Sequence, residues 1–176
     1  MKEKLYFAYG SNINLAQMAI RCPAAHVVGP VLLEDYELLF RGNIRGNGVA
    51  TIAPRKGQRV FGLLWAITPA CERSLDFYEG YPNLYGKELV TVRDKGGQTY
   101  QVMAYVMTEP YKEPAIPSTF YYNGILEGYR DNGLPVGALK QAWKHCVKEV
   151  DQETRRVNRM FDKRAKQTKR RDGHER

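Results

Sequence analysis

The chain has 176 residues, 43% of them apolar and 26% charged, which suits one domain with a proper core and excludes a wholly disordered or low-complexity protein. Its longest apolar run, Phe61 to Ile67 interrupted by Gly62, is far too short to cross a membrane, and Met1-Lys2-Glu3-Lys4-Leu5, with no long apolar stretch or cleavage site, leads us to expect no export signal. The net charge of +8 invites a nucleic-acid reading, but residues 1–139 carry 14 Lys/Arg against 13 Asp/Glu, whereas residues 140–176 carry 13 against 6.

In chain order, Lys4–Tyr9 is short and aromatic and reads as a first strand that ends in the turn Gly10-Ser11-Asn12. Asn12 or Asn14 caps an expected helix over Leu15–Cys22, stopped by Pro23. Tyr36–Arg41, Val49–Ala53, Arg59–Ile67, Lys87–Arg93 and Thr99–Thr108 are β-branched or aromatic, bounded by Gly, Pro or Asp, and read as strands. Thr68-Pro69 starts a helix expected to end near Tyr78. From Leu134 to about Ala165, the spacing of Val136, Leu139, Trp143, Cys146, Val147, Val150, Val157 and Phe161 predicts one long helix with a buried stripe. The expected fold is α+β: a small mixed, strongly curved β-sheet or β-barrel flanked by helices, with a long C-terminal helix. The main domain is expected over residues 1–154, and residues 155–176 form a basic extension with a frayed or disordered end.

Cys22, Cys71 and Cys146 are odd in number and include no CxxC pair, which points to reduced thiols in a cytoplasmic protein. His26, His145 and His174 form no zinc-type cluster, so no metal and no cofactor are expected. Phosphate-loop, dinucleotide and serine-hydrolase motifs are missing from the sequence.

Two segments can carry chemistry. A strand stopping at Gly10 can aim its next backbone N–H groups at a carboxylate or an oxyanion, although Gly-Ser-Asn is also an ordinary turn. Glu79 falls at a helix end among Phe77, Tyr78 and Tyr81, where partial desolvation raises a carboxyl pKa toward the range of a general base; an exposed terminal Glu is the plain alternative. Twelve tyrosines, with Tyr85, Tyr105, Tyr121 and Tyr122 read near strand ends, suit either a small-ligand pocket or ordinary sheets. Asp131-Asn132-Gly133-Leu134-Pro135 reads as a structural turn into the last helix.

Taken together, Tyr6-Phe7-Ala8-Tyr9-Gly10-Ser11-Asn12, Leu75-Asp76-Phe77-Tyr78-Glu79-Gly80, Ala104-Tyr105-Val106-Met107-Thr108 and Asn132-Gly133-Leu134-Pro135 resemble the γ-glutamylcyclotransferase family over about residues 5–137. The resemblance implies a metal-independent acyltransferase that cyclises a γ-glutamyl compound to 5-oxoproline and releases an amine or amino acid. It implies Glu79 as the acid/base, with Tyr9, Gly10, Ser11, Asn12, Tyr85, Tyr105 and Tyr121 as substrate contacts and Tyr122 as a competitor for the last place. The substrate itself supplies the nucleophile, its own α-amine, which agrees with the missing hydrolase motifs. Two other readings stand beside this one: a domain of the same fold that binds a small carboxylate without turnover, and binding of nucleic acid or an acidic partner through residues 155–176.

Overall fold

The computed structural model describes residues 3–42 and 46–172, with side chains described as far as Arg164. The first strand, β1 (Lys4–Ala8), is followed by a 3-10 turn at Ser11–Ile13 and helix α1 (Leu15–Arg21). Next come strands β2 (His26–Gly42) and β3 (Gly48–Ile67), helix α2 (Pro69–Glu79), and strands β4 (Tyr85–Asp94) and β5 (Thr99–Met107). Helices α3 (Thr119–Asp131) and α4 (Val136–Asp172) complete the order.

The strands close into a barrel in the order β1-β3-β2-β4-β5. Neighbours are antiparallel except at the closing seam, where β1 meets β5 in parallel with Tyr6 opposite Met103. Closure removes the sheet edges and encloses a core that includes Phe7, Leu33, Phe40, Leu63, Val92 and Met107. The expected mixed, curved sheet is therefore a closed barrel with helices around it.

The strand boundaries differ from the sequence reading in an instructive way. Val49–Ala53 and Arg59–Ile67 belong to one strand, β3, whose partner β2 begins at His26 rather than Tyr36. Pro54 and Gly57 look like a break, but the ladder resumes beyond them: Tyr36 opposes Pro54 and Glu34 opposes Arg59. The register shift is absorbed by Asp35, which adopts a left-handed φ of 58° and accepts the Gly57 N–H at 2.8 Å.

Both predicted helix starts have side-chain caps. Asn14 Oδ1 accepts the Gln17 N–H and Thr68 Oγ1 accepts the Cys71 N–H. α2 ends one residue later than expected, at Glu79, because Gly80 takes φ 65° and its N–H closes the last turn onto the Asp76 and Phe77 carbonyls.

Residues 119–131, including Tyr121 and Tyr122, form helix α3 rather than lying near a strand end. Ser118 supplies its N-cap. α3 packs closely on the turn Ser11–Ile13, because a Cβ on Gly128 would fall 2.6 Å from an Ile13 side-chain carbon. Asn132 secures the same contact, donating through Nδ2 to the Ile13 carbonyl at 3.0 Å and the Gly128 carbonyl at 2.7 Å. The Asn132-Gly133 turn is thus the structural device the sequence suggested.

α4 lies against the barrel through Leu139 and Cys146, and Arg41 of β2 holds Glu149 through both guanidinium nitrogens at 2.8 and 3.1 Å. The apolar stripe is not buried throughout. Trp143 is partly exposed although it packs on Tyr122, and Val157, Met160 and Phe161 are exposed, with nothing among the described residues covering them. The basic run from Lys166 onward, His174 and the expected frayed end fall beyond the described side chains. All three cysteines are buried and free, and His26 and His145 are at the surface. No helix among the described residues is long and apolar enough to cross a membrane.

Candidate active site

The loop after β1, the end of α2, the facing ends of β4 and β5, and the first turn of α3 converge on one small cavity. Its lining contains all eight predicted residues, Tyr9, Gly10, Ser11, Asn12, Glu79, Tyr85, Tyr105 and Tyr121. Tyr6 and Ala50 complete the wall. Tyr122 is excluded from it, packing instead between Phe40 and Trp143. The enclosed space is about 20 Å³, close to that of a single water.

Glu79 is the ionisable acid of this cavity. Burial raises its carboxyl from an ordinary 4.5 to about 7, opposed by the nearby Arg21 charge and by a hydrogen bond from Asn12. Asn12 Nδ2 donates to Glu79 Oε1 at 2.9 Å and to the Tyr6 hydroxyl at 3.0 Å. The Asn12 backbone carbonyl accepts the Trp65 indole N–H at 3.0 Å, and its side-chain oxygen accepts Arg21 Nη1 at 2.7 Å. Only 2% of Asn12 is exposed, so this set of partners fixes its amide in one orientation.

The tyrosines are held as firmly. Tyr9 donates to the Tyr105 carbonyl, and Tyr85 donates to the Ala50 carbonyl. The Tyr121 hydroxyl accepts the Ala50 N–H at 2.9 Å. Tyr105 donates to Asp76, which Lys87 also grips at 2.7 Å. Burial holds the Tyr6, Tyr9, Tyr85 and Tyr121 hydroxyls well above the ordinary phenol range, so they stay neutral hydrogen-bonding groups. The first residues of the turn Ser11–Ile13 also line the cavity, and N–H groups in a first helical turn have no intrahelical acceptor.

Tyr78 and Arg21 form the outer side of the site. The Tyr78 hydroxyl lies 3.2 Å from Ser11 Oγ, and the Arg21 guanidinium stacks 3.7 Å above the Tyr78 ring. Arg21, Tyr6 and Ala50 were missed by the sequence reading. Tyr6 stood inside a quoted motif, but Arg21 is the last residue of an ordinary amphipathic helix and nothing local marks it.

A larger groove of about 660 Å³ lies between the β2–β3 hairpin and α4, and its one carboxylate, Glu37, is paired with Arg55. It has no counterpart of Glu79, an acid raised by burial. Among the described residues no group of three His, Cys, Asp or Glu is placed to hold a metal ion.

A cavity that presents one elevated carboxyl beside a wall of neutral tyrosines is equipped for proton transfer on a small polar molecule. Comparison with known proteins agrees with that class. The family model described as gamma-glutamyl cyclotransferase, AIG2-like, matches residues 6–123. The gamma-glutamylcyclotransferase of Bos taurus is 35% identical over 145 residues, covering 78% of this chain and 76% of its own. That of Homo sapiens is 35% identical over 140 residues, covering 75% and 73%. A solved gamma-glutamyl cyclotransferase superposes with a TM-score of 0.73 at 32% identity, covering 80% of this chain and 86% of its own. YkqA from Bacillus subtilis shares the fold at a TM-score of 0.69 and 23% identity, covering 83% of this chain and 55% of its own. The chain belongs to the gamma-glutamyl cyclotransferase, AIG2-like family of enzymes.

Proposed function

We propose that the protein performs the γ-glutamyl cyclisation of its family through Glu79, with Tyr9, Gly10, Ser11, Asn12, Tyr85, Tyr105 and Tyr121 as the substrate-contacting wall. The observation that carries the assignment is the placement of the partly buried Glu79 carboxyl, raised to about 7, in the same cavity as the turn after β1.

In a γ-glutamyl compound, the α-amine nitrogen is four bonds from its own γ-carbonyl carbon, so its attack closes a five-membered ring. Ionised Glu79 takes a proton from the α-ammonium, and the freed amine attacks the γ-carbonyl to give a tetrahedral intermediate. Glu79 then returns the proton to the departing nitrogen as the γ-amide C–N bond breaks, and the second proton of the ring nitrogen passes through the same carboxylate to the released amine, which leaves as its ammonium. The products are 5-oxoproline and a free amine or amino acid. Holding the substrate in the folded conformer removes an entropic barrier worth up to about 7–11 kcal/mol in the best intramolecular cases. Backbone N–H groups around Gly10–Asn12 and the Tyr121 hydroxyl, which accepts the Ala50 N–H and keeps its own proton to give, supply donors for the substrate carboxylate and the developing oxyanion.

A panel of γ-glutamyl dipeptides and γ-glutamyl amines, assayed for 5-oxoproline with wild type and Glu79→Gln, tests this reading. Release by wild type and its loss in the variant is the expected result. Turnover of none of the panel by wild type, or equal activity of the variant, overturns it. Saturable 5-oxoproline binding without any turnover would favour the non-catalytic carboxylate-binding alternative.

The catalytic unit in this reading is residues 1–154, with residues 155–176 as a basic appendage. The exposure of Val157, Met160 and Phe161 beside Arg155, Arg156 and Arg159 supports that division. The charge of the appendage suits an acidic or phosphate-bearing partner. Affinity for single- and double-stranded nucleic acid across a salt series, with and without residues 155–176, tests it: a salt slope that falls on truncation is expected, and an unchanged or zero slope disposes of it.

A further inference from the structure

We propose that Arg21 is a positioning residue for the cyclisation, holding the Asn12 amide in the one orientation that donates to Glu79 and placing its cation beside that carboxylate. The inference rests on the reading of Glu79 as the acid/base group.

The geometry gives Arg21 three simultaneous acceptors. Nη1 donates to Asn12 Oδ1 at 2.7 Å and to Ser11 Oγ at 3.2 Å, and Nη2 donates to Gln17 Oε1 at 2.7 Å. Its plane is stacked on Tyr78, so the guanidinium is fixed by α1, by the turn Ser11–Ile13 and by α2 together. An Asn amide has a donor end and an acceptor end, and a guanidinium can meet only the acceptor. With Oδ1 committed to Arg21, Nδ2 is turned toward Tyr6 and Glu79, where it donates at 3.0 and 2.9 Å. A half-turn of the amide would put Oδ1 against the carboxylate, replacing an attraction with a repulsion. Without Arg21, Oδ1 loses its charged donor and the orientation is left to Glu79 when it is ionised and to Tyr6, whose hydroxyl can serve either end of an amide as donor or acceptor.

The charge has a second role. Arg21 forms no ion pair within 4.0 Å of a carboxylate among the described residues, and Glu79 feels its positive charge directly. The other titratable groups facing Glu79 are neutral phenols: Tyr6 and Tyr9 from the region of β1, Tyr85 from β4, Tyr105 from β5 and Tyr121 from α3. Tyr78 on α2 lies outside them, and Asp76 and Lys87 engage each other behind Tyr105. Arg21 is therefore the cation whose removal changes the field at Glu79 without disturbing an existing ion pair.

The test compares wild type, Arg21→Gln, Arg21→Lys and Glu79→Gln for 5-oxoproline release across pH, on the γ-glutamyl compound that wild type turns over fastest. In Arg21→Gln the acid limb of the rate profile is expected to move upward by on the order of one pH unit, because a neighbouring cation is lost. The rate on the high-pH plateau is expected to fall about tenfold, because Glu79 is less well aligned. Arg21→Lys keeps the charge and returns the acid limb close to its wild-type position. An ammonium cannot reproduce the planar contacts to Ser11, Asn12 and Gln17, so its plateau stays lowered. A titration of the Glu79 carboxyl carbon by NMR reads the same shift without reference to activity.

A merely structural Arg21 would lower the melting temperature and leave the acid limb and the carboxyl titration where they are, and that result overturns the inference. Should Arg21→Gln not fold, the Arg21→Lys plateau decides, and a wild-type plateau there overturns it. Loss of activity in Glu79→Gln with wild-type behaviour in both Arg21 variants refutes this inference alone. Full activity in Glu79→Gln refutes the Glu79 reading and this inference with it.

Discussion

Asn12 and Glu79 stand 67 positions apart in the chain, and the Asn12 side chain donates to the Glu79 carboxylate at 2.9 Å. Every other feature of the site is arranged around that contact. β1 and the turn after it bring Asn12 to the end of the barrel, and the glycine stop of α2 leaves Glu79 facing it.

Replacing Glu79 by Gln is expected to lower kcat for 5-oxoproline release by about 100- to 10,000-fold, the range typical of a positioned acid/base group. In wild type the rate should rise with pH through about 7, as the carboxyl ionises. A pH–rate profile on both proteins checks both statements.

The same substitution should alter stability in a pH-dependent way. The folded pKa of Glu79, about 7, lies above its ordinary 4.5. Its relative contribution to stability is therefore fully present below about pH 4.5 and is lost as pH rises through 7. Glu79→Gln escapes that loss. It should be the more stable protein above pH 7, by up to roughly 3 kcal/mol at about 1.4 kcal/mol per pKa unit, and should converge on wild type near pH 4.5. Urea denaturation at pH 4.5 and pH 8 measures the difference.

Asn12→Ala removes the hydrogen-bond partner of Tyr6, Arg21 and Glu79 in a nearly closed space. Leaving buried groups unsatisfied should cost about 1–3 kcal/mol. Because the Asn12 hydrogen bond holds the Glu79 pKa down, its loss should move the acid limb of the rate profile upward. Asn12→Ala should therefore show a lower denaturation midpoint and a displaced pH profile in the same protein.

Gly128→Ala tests the support behind the site. The added methyl meets both the side chain and the backbone of Ile13, at 2.6 and 2.8 Å, and must push α3 away from the turn that carries Asn12. A destabilisation of about 1–3 kcal/mol is expected, with reduced kcat/KM although the residue touches no substrate. Thermal melting and steady-state kinetics provide the check.

Truncation after residue 154 should leave the barrel intact. Val157, Met160 and Phe161 are exposed, so their removal uncovers no core, and kcat/KM should remain within about twofold of the full chain. Melting temperature and kinetics of the shortened protein measure this.

The two segments that meet in the cavity were legible because each is compact in sequence. Gly10-Ser11-Asn12 announces a turn, and Tyr78-Glu79-Gly80 places an acid between an aromatic residue and a helix stop. The long β2–β3 pair was not legible, since Gly29-Pro30 and Pro54 through Gly57 punctuate strands that continue through them. Two left-handed residues, Asp35 on β2 and Gly57 on β3, reconcile the two sides, and the Asp35 conformation depends on the partner strand whose Gly57 N–H it accepts. α3 was missed because its aromatic start, Phe120-Tyr121-Tyr122, has strand composition, and its Ser118 cap went unrecognised beside it.

The sequence by itself determined the near-neutral body, the capped helices and the residues of the two reactive segments, because those depend on local composition and backbone preference. It also placed the excess charge in the last 37 residues. Tertiary structure decided that Tyr121 rather than Tyr122 faces the cavity, that Arg21 reaches the Asn12 amide, and that Val157, Met160 and Phe161 of α4 are exposed. Each of these depends on which groups distant segments bring within hydrogen-bonding or packing distance. Barrel closure sets those distances, and it is also what desolvates Glu79 enough to raise its carboxyl to about 7.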